Sequence, residues 1–210
     1  MKKRTGAILS LLDQKYGTDI TCFLHASDAG QLLIATILSA QCTDARVNMV
    51  TRDLFRKYPD MKAFADADLH ELEEDIRSTG FYHNKAKNII ACATMICDTY
   101  GGVVPHTIEE LTSLPGVGRK TANVVRGNIY HEPSIVVDTH VKRIAKRLGF
   151  TENTDPVKVE YDLMNEIPED HWILINLQLI TFGREICSAR SPKCENCFLK
   201  EYCRDSGKDK

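Results

Sequence analysis

Along most of the chain, apolar residues recur every three or four positions, the spacing of one buried face of a helix. Ile8, Leu9, Leu11 and Leu12 form the first such face, which ends at Asp13-Gln14-Lys15. Asp28 is placed to cap a helix running through Gln31–Leu38, and Asp44 opens another that reaches Tyr58 and stops at Pro59. An acidic helix over 68–77 turns Leu69, Leu72 and Ile76 inward and ends near Gly80. Ile89, Ile90, Ala93 and Ile96 pattern a helix over 85–100, stopped by Gly101-Gly102. Thr107 and Glu110 have the form of a capping box, which offers reciprocal hydrogen bonds at a helix start. Further helices are predicted at about 119–129, 138–148, 156–166 and 170–186. Only Ile135-Val136-Val137 reads as a strand, and it is too short and unpartnered to build a sheet. The predicted fold class is all-α.

Composition narrows what such a fold can be. With 210 residues, 43% hydrophobic and 27% charged, the chain can bury one generous core or two small ones. Ordinary apolar content argues against disorder, and no apolar run approaches a membrane span. The start Met1-Lys2-Lys3-Arg4 resembles a signal peptide, yet its apolar stretch is too short for export, so a cytoplasmic location is expected. The formal net charge of −2 argues against a nucleic-acid binder. That average conceals an acidic block over 60–75 and a basic one over 116–147, made of Arg119, Lys120, Arg126, Lys142, Arg143, Lys146 and Arg147.

The basic block contains candidate chemistry. Leu114-Pro115-Gly116-Val117-Gly118 separates two predicted helices by a tight reversal. Glycines there permit positive φ and leave amides uncovered beside the positive end of the next helix, a way to hold a phosphate without reading sequence. Lys120 falls in the first turn of that helix, where the helix dipole and the Arg119 cation both disfavour an ammonium and so favour a nucleophilic amine. The run Pro133-Ser134-Ile135-Val136-Val137 then delivers Asp138 to the start of another helix. N-cap hydrogen bonds favour the charged form of a carboxylate, which suits a group that offsets positive charge on a sugar or accepts a proton from an amine.

The eight cysteines divide in two. Cys22, Cys42, Cys92 and Cys97 are dispersed among apolar neighbours and read as small core residues. Cys187, Cys194, Cys197 and Cys203 are grouped in a tail with few apolar residues, which implies one metal site. Spacing alone leaves zinc and an iron–sulfur cluster both open.

The hairpin with Lys120, followed by Val136-Val137-Asp138-Thr139-His140, resembles the endonuclease III family of helix–hairpin–helix DNA glycosylases. The likeness extends to Leu38-Ser39-Ala40-Gln41 before Thr43-Asp44, to Thr79-Gly80-Phe81-Tyr82 before Lys85-Ala86-Lys87, and to the four-cysteine spacing. It implies two helical lobes: a six-helix bundle over 23–133 with its helix–hairpin–helix at about 107–127, and a discontinuous lobe of 1–22 plus 134–210 ending in an iron–sulfur loop at 187–203. Lys120 and Asp138 then face each other, one from each lobe. The implied activity is bifunctional: Lys120 attacks C1′ of a flipped nucleotide, displaces an oxidised pyrimidine, and the resulting Schiff base allows β-elimination 3′ to the abasic site. Asp138 stabilises the developing charge and assists proton transfer.

By the same resemblance Gln41 fills the space of the flipped nucleotide. Phe81 stands where the family usually carries a leucine wedge, while a core role is its plain structural alternative. Gly116, Val117, Gly118, Arg119, His140, Arg184, Arg190 and Lys193 are expected at DNA, with Asp44 and Lys200 nearby. Cys187, Cys194, Cys197 and Cys203 are expected to hold a [4Fe–4S] cluster. The implied partner is double-stranded DNA with a damaged base or abasic site, met by a monomer. Two other readings compete: a mismatch thymine or uracil glycosylase of the same fold, and a non-catalytic helix–hairpin–helix binding module.

Overall fold

The computed structural model describes residues 2–205, and every regular element among them is helical. In chain order the α-helices are α1 (Lys2–Tyr16), α2 (Ala29–Leu38), α3 (Asp44–Lys57), α4 (Met61–Ala65), α5 (Leu69–Ile76), α6 (Tyr82–Tyr100), α7 (Ile108–Ser113), α8 (Arg119–Asn128), α9 (Thr139–Arg147), α10 (Pro156–Glu166) and α11 (Trp172–Glu185). Short 3₁₀ turns lead into α11 and shape the residues after it.

Local chemistry explains most of the starts. Asp28, Thr43, Asp60, Asp68, Thr107, Asp138 and Asp155 each accept a hydrogen bond from the amide three residues on. Each satisfies an amide that the helix cannot pair, a contribution of about 1 kcal/mol per cap. At α7 the capping box takes a modified form: Thr107 Oγ1 accepts from the Glu110 amide at 3.2 Å and donates to the Glu110 carboxylate at 2.6 Å.

Two elements depart from the sequence pattern. Helix α4 is too short to show a period, yet Asp60 caps it and Phe64 buries its ring against Tyr58, stacked at 5.1 Å. Helix α6 starts a turn earlier than its apolar spacing predicts, because Phe81 takes a left-handed conformation (φ 52°) that turns the chain straight into it. The run Ile135–Val137 is extended but joins no strand; Ile135 and Val136 are buried instead.

The chain divides into two compact units. Cys22–Glu132 holds α2 to α8, the five-residue α4 lying beside six longer helices. Its core includes Leu33, Ile34, Leu38, Leu72, Ile76, Ile89, Ile96, Leu111 and Val125. The other unit comprises residues up to Thr21 and from Pro133 onward, with Ile8, Leu12, Ile135, Ile144, Leu163, Leu179 and Phe182 in its core. On α1, Ile8, Leu9 and Leu12 are buried as the pattern predicts, while Leu11 is half-buried. Of the dispersed cysteines, Cys92 is fully buried, and burial pushes its thiol up to about 12; Cys22, Cys42 and Cys97 are half-buried.

Candidate active site and nucleic-acid interface

In the unit Cys22–Glu132, the hairpin is built by contrasting uses of its two glycines. Gly116 takes φ 76°, and a Cβ there would lie 2.8 Å from Cβ of Asn88 on α6, so only glycine lets the turn seat against that helix. Gly118 is ordinary in backbone, with open space where a Cβ would stand. It starts α8 without any side-chain cap, glycine having no side chain to place over the helix start. Leu114 and Val117 are buried between the helices, and the Val117 amide donates to the Leu114 carbonyl at 3.1 Å. The Val117 side chain therefore belongs to the core, and a contact from this residue to DNA is limited to its backbone. Arg119 and Lys120 occupy the first turn of α8, Lys120 with its side chain exposed.

Two further loops of this unit carry strained, exposed residues. Gln41 (φ 54°) and Phe81 (φ 52°) are left-handed although neither is glycine; among the described residues only His131 shares that state. Such a conformation costs roughly 1 kcal/mol or more and persists where the surroundings impose it. Phe81 is 62% exposed, which removes the core role open to it in the sequence.

In the other unit, Asp138 caps α9, its Oδ1 accepting from the Val141 amide at 2.8 Å. Asn176 on α11, buried, donates to the Val136 carbonyl at 2.9 Å and so anchors the extended run that presents Asp138. His140 lies against Gly183 of α11, where any Cβ would collide with its ring, and Arg184 follows in the last turn of that helix. Arg143 Nη2 stands 3.3 Å from His140 Nδ1 and donates to the Cys187 carbonyl at 2.9 Å. Burial lowers the Arg143 pKa from its ordinary value, with Cys187 opposing that shift.

The tail packs on this unit more firmly than its composition suggests. Leu199 is fully buried, and Phe198 meets Phe182 edge-on at 5.4 Å. Arg147, buried on α9, donates from Nη1 to Cys187 Sγ at 3.1 Å and to the Ser188 carbonyl at 2.9 Å. Arg4 of α1 donates to the carbonyls of Leu148 and Tyr202. Cys187, Cys194, Cys197 and Cys203 line one cavity of about 300 Å³, with Arg190, Lys193 and Lys200 at its edge. Four thiols lining one cavity are a donor set that an iron–sulfur cluster takes, so the residues present fit that group.

Three cations of the basic block are engaged or partly covered within their own units. Arg147 is committed to the cysteine segment, Arg143 is half-buried, and Arg126 pairs with Glu132 at 2.8 Å. Asn176, Arg147 and Gly183 are site-supporting residues that sequence reasoning misses. Arg147 reads there as one cation in a charged run, and nothing near Asn176 signals its long-range bond.

An all-helical fold with a glycine hairpin opening a helix and a cysteine-lined cavity near its end defines a helix–hairpin–helix protein built to meet DNA. Residues 34–169 match the family of HhH-GPD superfamily base excision DNA repair proteins, and residues 187–203 match the iron–sulfur binding domain of endonuclease III. The second match begins at Cys187 and ends at Cys203. The chain is 49% identical over 203 residues to an endonuclease III of Synechocystis, covering 96% of this chain and 92% of the relative. It is 48% identical over 188 residues to an endonuclease III of Bacillus subtilis, covering 89% and 86%. A solved structure, described as a trapped endonuclease III–DNA covalent intermediate in an estranged-adenine complex, superposes with a TM-score of 0.93 at 45% identity, covering 98% of this chain and 97% of that one.

The chain belongs to the endonuclease III family. It is a base excision repair DNA glycosylase whose cofactor is a [4Fe–4S] cluster. No helix among the described residues is long and apolar enough to cross a membrane.

Proposed function

We propose that the chain is a bifunctional glycosylase and abasic-site lyase for oxidised pyrimidines, with Lys120 as nucleophile and Asp138 as its carboxylate partner. One observation carries this reading: an exposed lysine in the first turn of α8, a helix that starts from Gly118 with no side-chain cap, directly after the glycine turn. The turn can grip a phosphate of the strand on which the lysine acts. The covalent DNA intermediate described for a 45%-identical structure supports an enzyme nucleophile here.

In the proposed reaction the Lys120 amine forms a bond to C1′ while the glycosidic bond breaks and its electron pair leaves with the base. Asp138 offsets the positive charge on the sugar and takes the proton released from the amine. Opening of the sugar gives a Schiff base. Loss of a C2′ proton then expels the 3′ phosphate and cuts the strand. Gln41 and Phe81 enter the stack where the nucleotide leaves it, and an apolar ring offsets part of the unstacking cost. Cys187, Cys194, Cys197 and Cys203 hold the cluster, which supplies covalent ties that close residues 187–203 into one loop. Arg190 and Lys193 sit on that loop, and His140 and Arg184 beside it, as phosphate contacts. The chain works in the cytoplasm, on the nucleoid.

Borohydride trapping on a duplex with one oxidised pyrimidine tests this reading. A covalent adduct is expected with the wild-type chain; excision without an adduct would make the enzyme a monofunctional glycosylase and remove Lys120 from the nucleophile role.

A further inference from the structure

The loops bearing Gln41 and Phe81 are far apart in sequence but meet at one buried side chain. Lys85, in the first turn of α6, is 5% exposed. Its ammonium donates to the Leu38 carbonyl at 2.8 Å and to the Thr79 carbonyl at 2.9 Å. Its own amide donates to the Phe81 carbonyl at 3.1 Å. Leu38 closes α2 three residues before Gln41, and Thr79 precedes Phe81 by two. Both acceptors are backbone oxygens, so the charge is not there to neutralise a carboxylate.

A buried lysine is costly, and burial lowers the pKa of this one from its ordinary value. An apolar residue of similar length would fill the space, but would leave two buried carbonyls without donors. What the ammonium adds is a link of fixed length: one point charge with two short bonds to the roots of two loops. At the tips of those loops stand Gln41 and Phe81, both exposed and both left-handed. Gly80 (φ 71°) and short backbone bonds such as Cys42 to Ser39 shape each loop locally, and Lys85 is the side chain that bonds to the roots of both.

We propose that Lys85 is a positioning residue that sets the spacing between the two strand-entering side chains, Gln41 and Phe81. This rests on the glycosylase reading above, in which those side chains enter the stack. Lys85 touches no DNA. It acts through the backbone at Leu38, Thr79 and Phe81, and its contribution falls on extrusion of the nucleotide rather than on cleavage of the glycosidic bond.

The test is single-turnover excision of one oxidised pyrimidine from two duplexes, the base in its normal pair and the same base in a mismatched pair that opens more easily. Rates are corrected for folded protein by circular dichroism. For Lys85→Met, a loss of roughly 10- to 100-fold is expected on the paired duplex, the scale of a small misplacement in a site. On the mismatched duplex, where less unstacking energy is needed, the loss is expected to be much smaller. Should Lys85→Met fail to fold, Lys85→Arg, which keeps the charge and donors at a different reach, is read on the same pair of duplexes. A loss confined to the paired duplex supports the proposal. An equal loss on both, or none on either, overturns it and leaves the glycosylase reading standing. Failure of the wild-type chain to excise from either duplex overturns both together.

Discussion

Arg147 donates to the sulfur of Cys187 at 3.1 Å and, through the same Nη1, to the Ser188 carbonyl, so a buried guanidinium organises the first turn of the cysteine segment. Arg147→Met keeps much of the side-chain volume but leaves those acceptors unpaired. A destabilisation of roughly 3 kcal/mol is expected, the scale of losing a charge-assisted buried hydrogen bond. Iron content and urea unfolding of the purified variant measure it; full iron occupancy with unchanged unfolding would show that Arg147 is dispensable to the loop.

Lys120 is exposed and outside the core, so its replacement separates chemistry from folding. Lys120→Gln is expected to abolish borohydride adducts while thermal stability stays within about 0.5 kcal/mol of wild type. Duplex affinity falls only modestly, by the share of one cation. Continued strand cleavage by the variant would assign the nucleophile elsewhere.

Phe81 gives a prediction in which stability and activity move apart. Phe81→Gly removes the ring and relieves the left-handed strain at φ 52°, so folding stability is expected to hold or rise by up to about 1 kcal/mol. Excision from a paired duplex is expected to fall. A variant that unfolds more easily than wild type would mean that the ring stabilises the fold despite its exposure.

Gly183 lets α11 approach His140, Arg143 and Ile144 of α9. Gly183→Ala gains helix propensity but must push those side chains aside, and overpacking of this kind costs typically 1–3 kcal/mol. A net loss in the urea midpoint is expected, with weaker duplex binding as His140 shifts. A stabilised variant with unchanged binding would show that the helices separate without penalty.

Glu132 links a histidine and an arginine of the hairpin unit: His106 Nδ1 lies 2.7 Å from its Oε1, and Arg126 donates to Oε2 at 2.8 and 3.0 Å. The His106 contact, then the Arg126 bonds, hold its carboxyl below the ordinary glutamate range. A carboxyl so lowered in the folded chain stabilises it fully above the ordinary glutamate value, and that contribution is lost as pH falls through the folded value. The Tm gap between wild type and Glu132→Gln is therefore expected to shrink on moving from about pH 6 to about pH 4. A gap that stays constant over that span would rule out the carboxylate as its source.

Much of this molecule is local and was open to a reader of its residues. Asp28, Asp138 and Asp155 cap helices as three-residue patterns allow, because each bond spans one turn and needs no other part of the fold. The hairpin Leu114–Gly118 carries its own steric instructions, and four cysteines in a short tail advertise shared ligation. Helix α4 escaped because five residues are fewer than two turns. The left-handed Gln41 and Phe81 escaped because neither residue type marks that conformation.

The cations show where sequence stops. In a sequence, Lys85 sits beside Lys87 and Arg147 beside Lys146, and each pair looks alike. Folding buries Lys85 and Arg147 and leaves Lys87 and Lys146 exposed. The sequence by itself determined most of the helices, their caps, the glycine turn and the cysteine spacing, since those depend on neighbours within a few residues. Only the tertiary structure decided which charges became internal fasteners. That choice turns on desolvation and on carbonyls contributed from distant parts of the chain, and neither is written near the residue that answers them.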